Sequence, residues 1–89
     1  MDIKDLVQFF KSLADENRLK ILMLLNEEET CACKLLENLD LSQSGLSYHM
    51  KILTDMGIVE SKPNGKWVNY SINKKEYNNL VDDIYNLLK

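Results

Sequence analysis

Apolar residues return every three or four positions near the N-terminus, at Ile3, Leu6, Val7 and Phe10, and Asp2 stands where a helix cap belongs. That spacing predicts a first amphipathic helix, whose stripe Phe9 widens beyond what a small surface helix needs. After Asp15 the run Glu16 to Leu25 is apolar on most sides, which predicts a central buried helix. Glu27, Glu28 and Glu29 then form an acidic turn, and Thr30 reads as the N-cap of a third helix from Cys31 to about Asn38. Carboxylates there suit the positive end of a helix better than a bound cation. Leu39, Asp40 and Leu41 lead into a fourth helix with two distinct sides. At ~100° per residue, Leu46, Met50, Leu53 and Met56 share one side, and Ser44, Ser47, Tyr48 and Lys51 share the other. Gln43 lies in its leading turn, Ser42 caps it and Gly57 closes it.

Beyond Gly57 the period changes from helical to alternating. Ile58 to Lys62 and Lys66 to Ile72 flank Pro63, Asn64 and Gly65, which predicts a β-hairpin. Asn73 and Glu76 have the spacing of a capping box for a last helix with Tyr77, Leu80, Val81, Ile84, Leu87 and Leu88 on its apolar face. No repeat or linker interrupts the pattern, so residues 1–89 read as one domain. A short helix, a tight connection, a polar-faced helix and then a hairpin make a winged helix-turn-helix: mainly α with a β-hairpin wing, in the order α-α-α-α-β-β-α.

The hydroxyls, ring and ammonium on the outer side of the fourth helix can bond base edges and phosphates, although a merely solvated face has the same composition. Lys62, Asn64, Lys66 and Asn69 lie on or near the wing tip, within reach of phosphates or a minor groove, while Trp67 and Tyr70 pin the wing to the body. An 89-residue chain is marginal alone. Its first and last helices carry more apolar surface than so small a body buries. Pairing through Ile3, Leu6, Val7, Phe10, Leu80, Val81, Ile84 and Leu88 would hide that surface and set two reading helices on a two-fold DNA site.

The net charge of −3 modifies this picture without reversing it. Residues 1–41 hold nine acids and five bases, whereas residues 42–70 hold two acids and three bases, so only the DNA segment is positive. Weak non-specific binding and reliance on geometry follow. The acidic total also suits a second class, a winged-helix protein-interaction module. A single histidine and no nucleophile paired with a base argue against an enzyme. No run approaches the ~20 apolar residues of a membrane span, and no basic-then-apolar leader opens the chain, which predicts a cytoplasmic protein.

Residues 13–25, 29–35, 41–53 and 65–70 together, with Cys31-Ala32-Cys33 and Ser42-Gln43-Ser44 among them, resemble the ArsR/SmtB family of metal-responsive repressors. The resemblance implies a homodimeric repressor that occupies a two-fold duplex operator and leaves it when an inducer binds. It carries Ser42, Gln43, Ser44, Ser47, Tyr48, His49 and Lys51 onto positions where the family contacts DNA. The helical wheel sets His49 nearer Met50 than Ser44, which suits an imidazole at the core edge, or one reaching a phosphate, better than a metal ligand.

Cys31 and Cys33, spaced Cys-x-Cys in an otherwise cytosolic-looking chain, are not a disulfide framework and read as free thiols or ligands. They match the Cys-x-Cys of the family's arsenic, antimony and cadmium sensors. This chain departs from other members of the family in three places: Leu36 stands where a third thiol can sit, residues 1–30 hold no cysteine, and residues 74–89 hold no histidine. Two thiolates without a third soft donor fit arsenite or antimonite as inducer better than tetrahedral zinc, and no organic cofactor is implied. Another soft metal, a thiol oxidant, or plain packing of two small residues are the alternatives. On a regular helix, side chains two apart differ by ~200°. Chelation is therefore expected to unwind the first turn of the third helix and disturb the reading geometry.

Overall fold

Eight elements follow one another in the computed structural model, which describes residues 2–26 and 28–89. They are α1 (Ile3–Leu13), α2 (Glu16–Leu25), β1 (Thr30–Cys31), α3 (Ala32–Asn38), α4 (Gln43–Asp55), β2 (Val59–Asn64), β3 (Trp67–Ile72) and α5 (Lys74–Leu88). Side-chain caps fix where four of the helices begin. Asp2 accepts from the Asp5 N–H at 2.8 Å, Asp15 from Arg18 at 3.1 Å, Ser42 from Gly45 at 3.0 Å and Asn73 from Glu76 at 3.3 Å. Each satisfies a backbone donor that the helix leaves unpaired, worth about 1 kcal/mol. Gly57, with φ +82°, follows α4 in the left-handed conformation that glycine adopts without penalty.

One core joins these elements. Leu6 and Phe9 from α1, Ile21 and Leu25 from α2, Leu35 from α3, and Leu46, Met50 and Leu53 from α4 meet Ile58, Val59 and Leu80. The expected two-sided division of α4 is present: Leu46, Met50 and Leu53 are buried, and Ser44, Ser47, Tyr48 and Lys51 are exposed. The architecture is a winged helix-turn-helix. No helix among the described residues is long and apolar enough to cross a membrane.

Four local expectations are corrected. Thr30 does not cap α3; it is buried in β1, which pairs antiparallel with β3 through Thr30 opposite Tyr70 and Cys31 opposite Asn69. The wing is thus part of a three-stranded sheet of order β1-β3-β2, and the chain order gains a strand before α3. Next, α2 is only half buried, because Ile21 and Leu25 face the core while Leu19 and Met23 remain 48% and 76% exposed. The hairpin turn is Gly65 and Lys66 alone, since Pro63 pairs with Val68 and Asn64 with Trp67. Proline is tolerated in β2 because β2 is an edge strand and the position between hydrogen-bonded pairs needs no ladder donor. Finally, Leu6 and Leu80 are buried in the chain's own core and Ile84 packs against it. They are therefore not free to form an interface, and Ile3, Val7, Phe10, Val81 and Leu88 are the expected interface residues that stay exposed. The expected role of Glu27 lies outside the described residues.

The Asp15 cap ties stability to pH. The Arg18 N–H bond holds the Asp15 carboxyl below its ordinary value; partial burial opposes this, and the Arg18 guanidinium, His49 and the Asn17 N–H add to it. A depressed folded-state pKa stabilises above the unfolded value, near 3.9, and that stabilisation disappears as pH falls through the folded value. Asp15→Ala is expected to cost about 1 kcal/mol at pH 7. The gap to wild type should close in acid, as read from denaturant midpoints at pH 7 and below pH 4.

Candidate nucleic-acid interface and thiol site

The exposed side of α4 begins at its cap. The Ser42 hydroxyl bonds the Gly45 N–H and lies 3.1 Å from the Ser44 hydroxyl, so the first turn presents Gln43 and Ser44 on a fixed backbone. Further along, Ser47 is exposed and the Tyr48 ring projects with 63% exposure. Lys51 pairs with Asp55 one turn away at 3.1 Å, on the surface. An exposed pair of this kind is worth under about 1 kcal/mol, so a phosphate can displace the carboxylate.

A cleft separates this side of α4 from the wing, lined by Gln43, Ser47, Lys66, Trp67, Val68 and Tyr70. Lys62, Asn64 and Lys66 are exposed along the wing. Trp67 and Tyr70 are both half buried, and Tyr70 packs against the core, as expected of a residue that anchors the wing; burial raises the Tyr70 hydroxyl above its ordinary pKa. Asn69 is not at the tip. It lies in mid-strand, donating to Glu29 at 2.9 Å and accepting from Asn64 at 3.2 Å.

His49 departs from its expected set. It is buried beneath α4, its Nδ1 3.0 Å from an Arg18 guanidinium nitrogen and 4.0 Å from Asp15, with the Tyr48 ring edge-on at 5.2 Å. Arginine can only donate, so in this contact the imidazole accepts at Nδ1. Arg18 also donates to the carbonyls of Ser12 and Lys11. It thereby joins the end of α1 and the start of α2 to the underside of α4. His49 is a core-edge residue that supports the reading helix from behind, so the DNA contact implied for it does not fit its burial. The sequence does not mark Arg18, and it marks Glu29 only as a charge near a helix end, because their partners lie 31 and 40 residues away and leave no local spacing to read.

The thiol pair lies at the junction of β1 and α3. Cys31 has extended backbone, φ −65° and ψ 142°, and caps α3; its Sγ accepts from the Cys33 N–H at 3.2 Å. Because Cys31 precedes the helix, the ~200° separation of two helical side chains does not apply, and the sulfurs converge with α3 intact. They are joined in a disulfide, which corrects the expectation of two free thiols. No unwinding is needed to bring them together. Among the described residues, no group of three or more His, Cys, Asp or Glu side chains is arranged to hold a metal ion.

Comparison with known proteins agrees with this geometry. The sequence pattern described as "Bacterial regulatory protein, arsR family" matches residues 15–61, which run from the α2 cap to the first half of the wing. The arsenical resistance operon repressor of Bacillus subtilis is 42% identical over 77 residues, covering 85% of this chain and 73% of that protein. The arsenical resistance operon repressor of Staphylococcus xylosus is 43% identical over 88 residues, covering 97% and 85%. Among solved structures, an ArsR-like transcriptional regulator from Rhodococcus sp. RHA1 superposes with a TM-score of 0.81 at 27% identity, over 94% of this chain and 79% of that one.

The exposed side of α4 can be altered without opening the core. Tyr48→Ala and Lys51→Ala are each expected to weaken duplex binding while shifting stability by no more than about 0.5 kcal/mol. Lys66→Ala should weaken all sequences alike and lower the salt slope by about one ion. Parallel anisotropy and thermal melts check this; a variant that melts early yet binds normally per folded molecule would reverse the assigned orientation of α4.

Proposed function

The chain belongs to the bacterial ArsR family of regulatory proteins, and on that premise we propose a transcriptional repressor that a thiophilic metalloid, arsenite or antimonite, releases from DNA by bridging Cys31 and Cys33. A regulator of this family is a DNA-binding protein rather than an enzyme. The observation that carries the proposal is the convergence of the two sulfurs at the strand–helix junction that opens the helix-turn-helix. Thiolates are soft donors that prefer such ions to hard cations. Bridging needs the reduced pair, so a dithiol reductant must first supply two electrons and two protons to the bonded sulfurs and leave as a disulfide.

Gln43, Ser44, Ser47, Tyr48 and Lys51 read the groove, with Ser42 holding the leading turn. Lys62, Asn64 and Lys66 meet phosphates from the wing. Two copies pair through α1 and α5, supported by the exposed apolar row of Ile3, Val7, Phe10, Val81 and Leu88, which Tyr85 and Leu87 extend. The two reading helices then lie ~34–36 Å apart on successive turns of a two-fold operator. The bond between Cys31 and Cys33 favours a second reading, in which a thiol oxidant is the signal and closes the pair directly.

A duplex selected from a random pool supplies the test. Reduced wild type, Cys31→Ser and Cys33→Ser are all expected to bind it, and arsenite should lower the affinity of the wild type alone, by about 100-fold. Phe10→Glu should sediment as a monomer and lose most of the affinity. If a disulfide oxidant releases the wild type and arsenite does not, the second reading replaces the first. If the double serine variant is released by arsenite as the wild type is, the cysteines are packing residues.

A further inference from the structure

Side chains alternate between the two faces of a sheet, so strand register fixes which residues are neighbours. Thr30 and Tyr70 lie opposite each other, both turned to the body; Thr30 is buried and Tyr70 packs against the core. The next pair, Cys31 with Asn69, therefore lies on the outer face, together with Lys62, which stands opposite Asn69 on β2. Two residues after Lys62 the alternation returns Asn64 to that face, and Glu29, just before β1, reaches it through its bond with Asn69. Three of these side chains are bonded in a row. Asn64 Nδ2 donates to Asn69 Oδ1 at 3.2 Å, and Asn69 Nδ2 donates to Glu29 Oε2 at 2.9 Å. The row starts beside the thiol strand and ends at the residue before the wing turn.

We infer that Glu29, Asn69 and Asn64 form a relay through which the state of the thiol pair sets the position of the wing. Glu29 and Asn69 are positioning residues in this account; neither touches the inducer. The inference rests on the reading of Cys31 and Cys33 as the sensing site. The covalent and hydrogen-bond topology makes the relay the direct route. The β1 ladder is two residues long and one of them is Cys31, so little other pairing absorbs a displacement of that residue. In the reduced, DNA-binding protein the sulfurs are not bonded to each other, and a metalloid atom bonded to both fixes their separation. Cys31 must shift with it, and Glu29, two residues earlier in the chain, shifts its carboxylate. Asn69 then either follows or loses its acceptor, and in both cases the Asn64 end of the wing loses its fixed place beside α4. Hydrogen-bond networks with two discrete arrangements carry coupling of this kind between sites.

The relay is cut at Glu29, which is exposed and outside the DNA-reading set. Glu29→Ala leaves Asn69 without its acceptor, so by the same relay it should bind the selected duplex more weakly than wild type before arsenite is added. Arsenite should still protect both of its thiols from a thiol reagent, yet release should fall from about 100-fold to less than about five-fold. Glu29→Gln keeps an acceptor for Asn69 and should restore release to the wild-type factor. Asn64→Ala cuts the far end; whatever its basal affinity, its ratio with and without arsenite should collapse in the same way. Wild-type release by Glu29→Ala, with both thiols protected, overturns the relay alone. A reduced wild type whose thiols arsenite leaves unprotected overturns the metalloid reading, and the relay with it.

Discussion

The antiparallel pairing of β1 with β3 is the constraint on which the arrangement of this protein turns. Two residues, Thr30 and Cys31, convert a hairpin into a three-stranded sheet. That pairing holds Cys31 in extended backbone, so that α3 starts at Ala32 and Cys31 becomes its cap. Sulfurs that a continuous helix would splay instead meet. The same pairing faces Cys31 with Asn69 and so ties the thiol site to the wing. One short ladder thereby decides the start of the helix-turn-helix, the geometry of the thiols and the seat of the wing.

Much of this was legible in the sequence, for reasons tied to period and caps. The α4 face could be read because Leu46, Met50 and Leu53 recur at helical spacing while Ser44, Ser47 and Tyr48 fall between them. The caps Asp2, Asp15, Ser42 and Asn73 could be read because a short polar side chain three residues before its target amide is a local signal. The strand β1 could not, since two residues carry no alternation and their partners lie about forty positions away. Thr30 was assigned as a cap on residue type alone, and its hydroxyl instead bonds the Glu28 carbonyl. The exposure of Leu19 and Met23 was hidden for another reason: a helix apolar on most sides gives little periodicity to say which side is covered. His49 stood at the boundary of the wheel, and only its long-range bond to Arg18 decides its side.

The electrostatics suit geometry-dependent recognition. The chain is acidic overall, with a net charge of −3, and the cations of its proposed DNA side are few and exposed. Each exposed lysine contributes to affinity mainly by releasing counterions, a contribution that salt suppresses. Discrimination must then come from a well-held α4, and the Ser42 cap, the buried leucines and the Arg18–His49 bond beneath it all act to hold it. A regulator that binds weakly through charge and depends on two aligned helices and wings is released by small displacements. This is why a shift at the wing suffices for the proposed switch, with no helix unfolded.

Whether α3 stays folded when the thiols are occupied is the central question, and amide hydrogen exchange, resolved by residue, answers it most directly. With arsenite bound to the reduced pair, the amides of Leu36, Glu37 and Asn38, beyond the first turn of α3, are expected to keep their protection. Exchange should change at Cys31, Cys33 and Asn69 and along the wing. Loss of protection through Leu36 to Asn38 on arsenite binding would contradict the account, because the helix would then unwind to hold an ion that the strand–helix junction should accept with α3 intact.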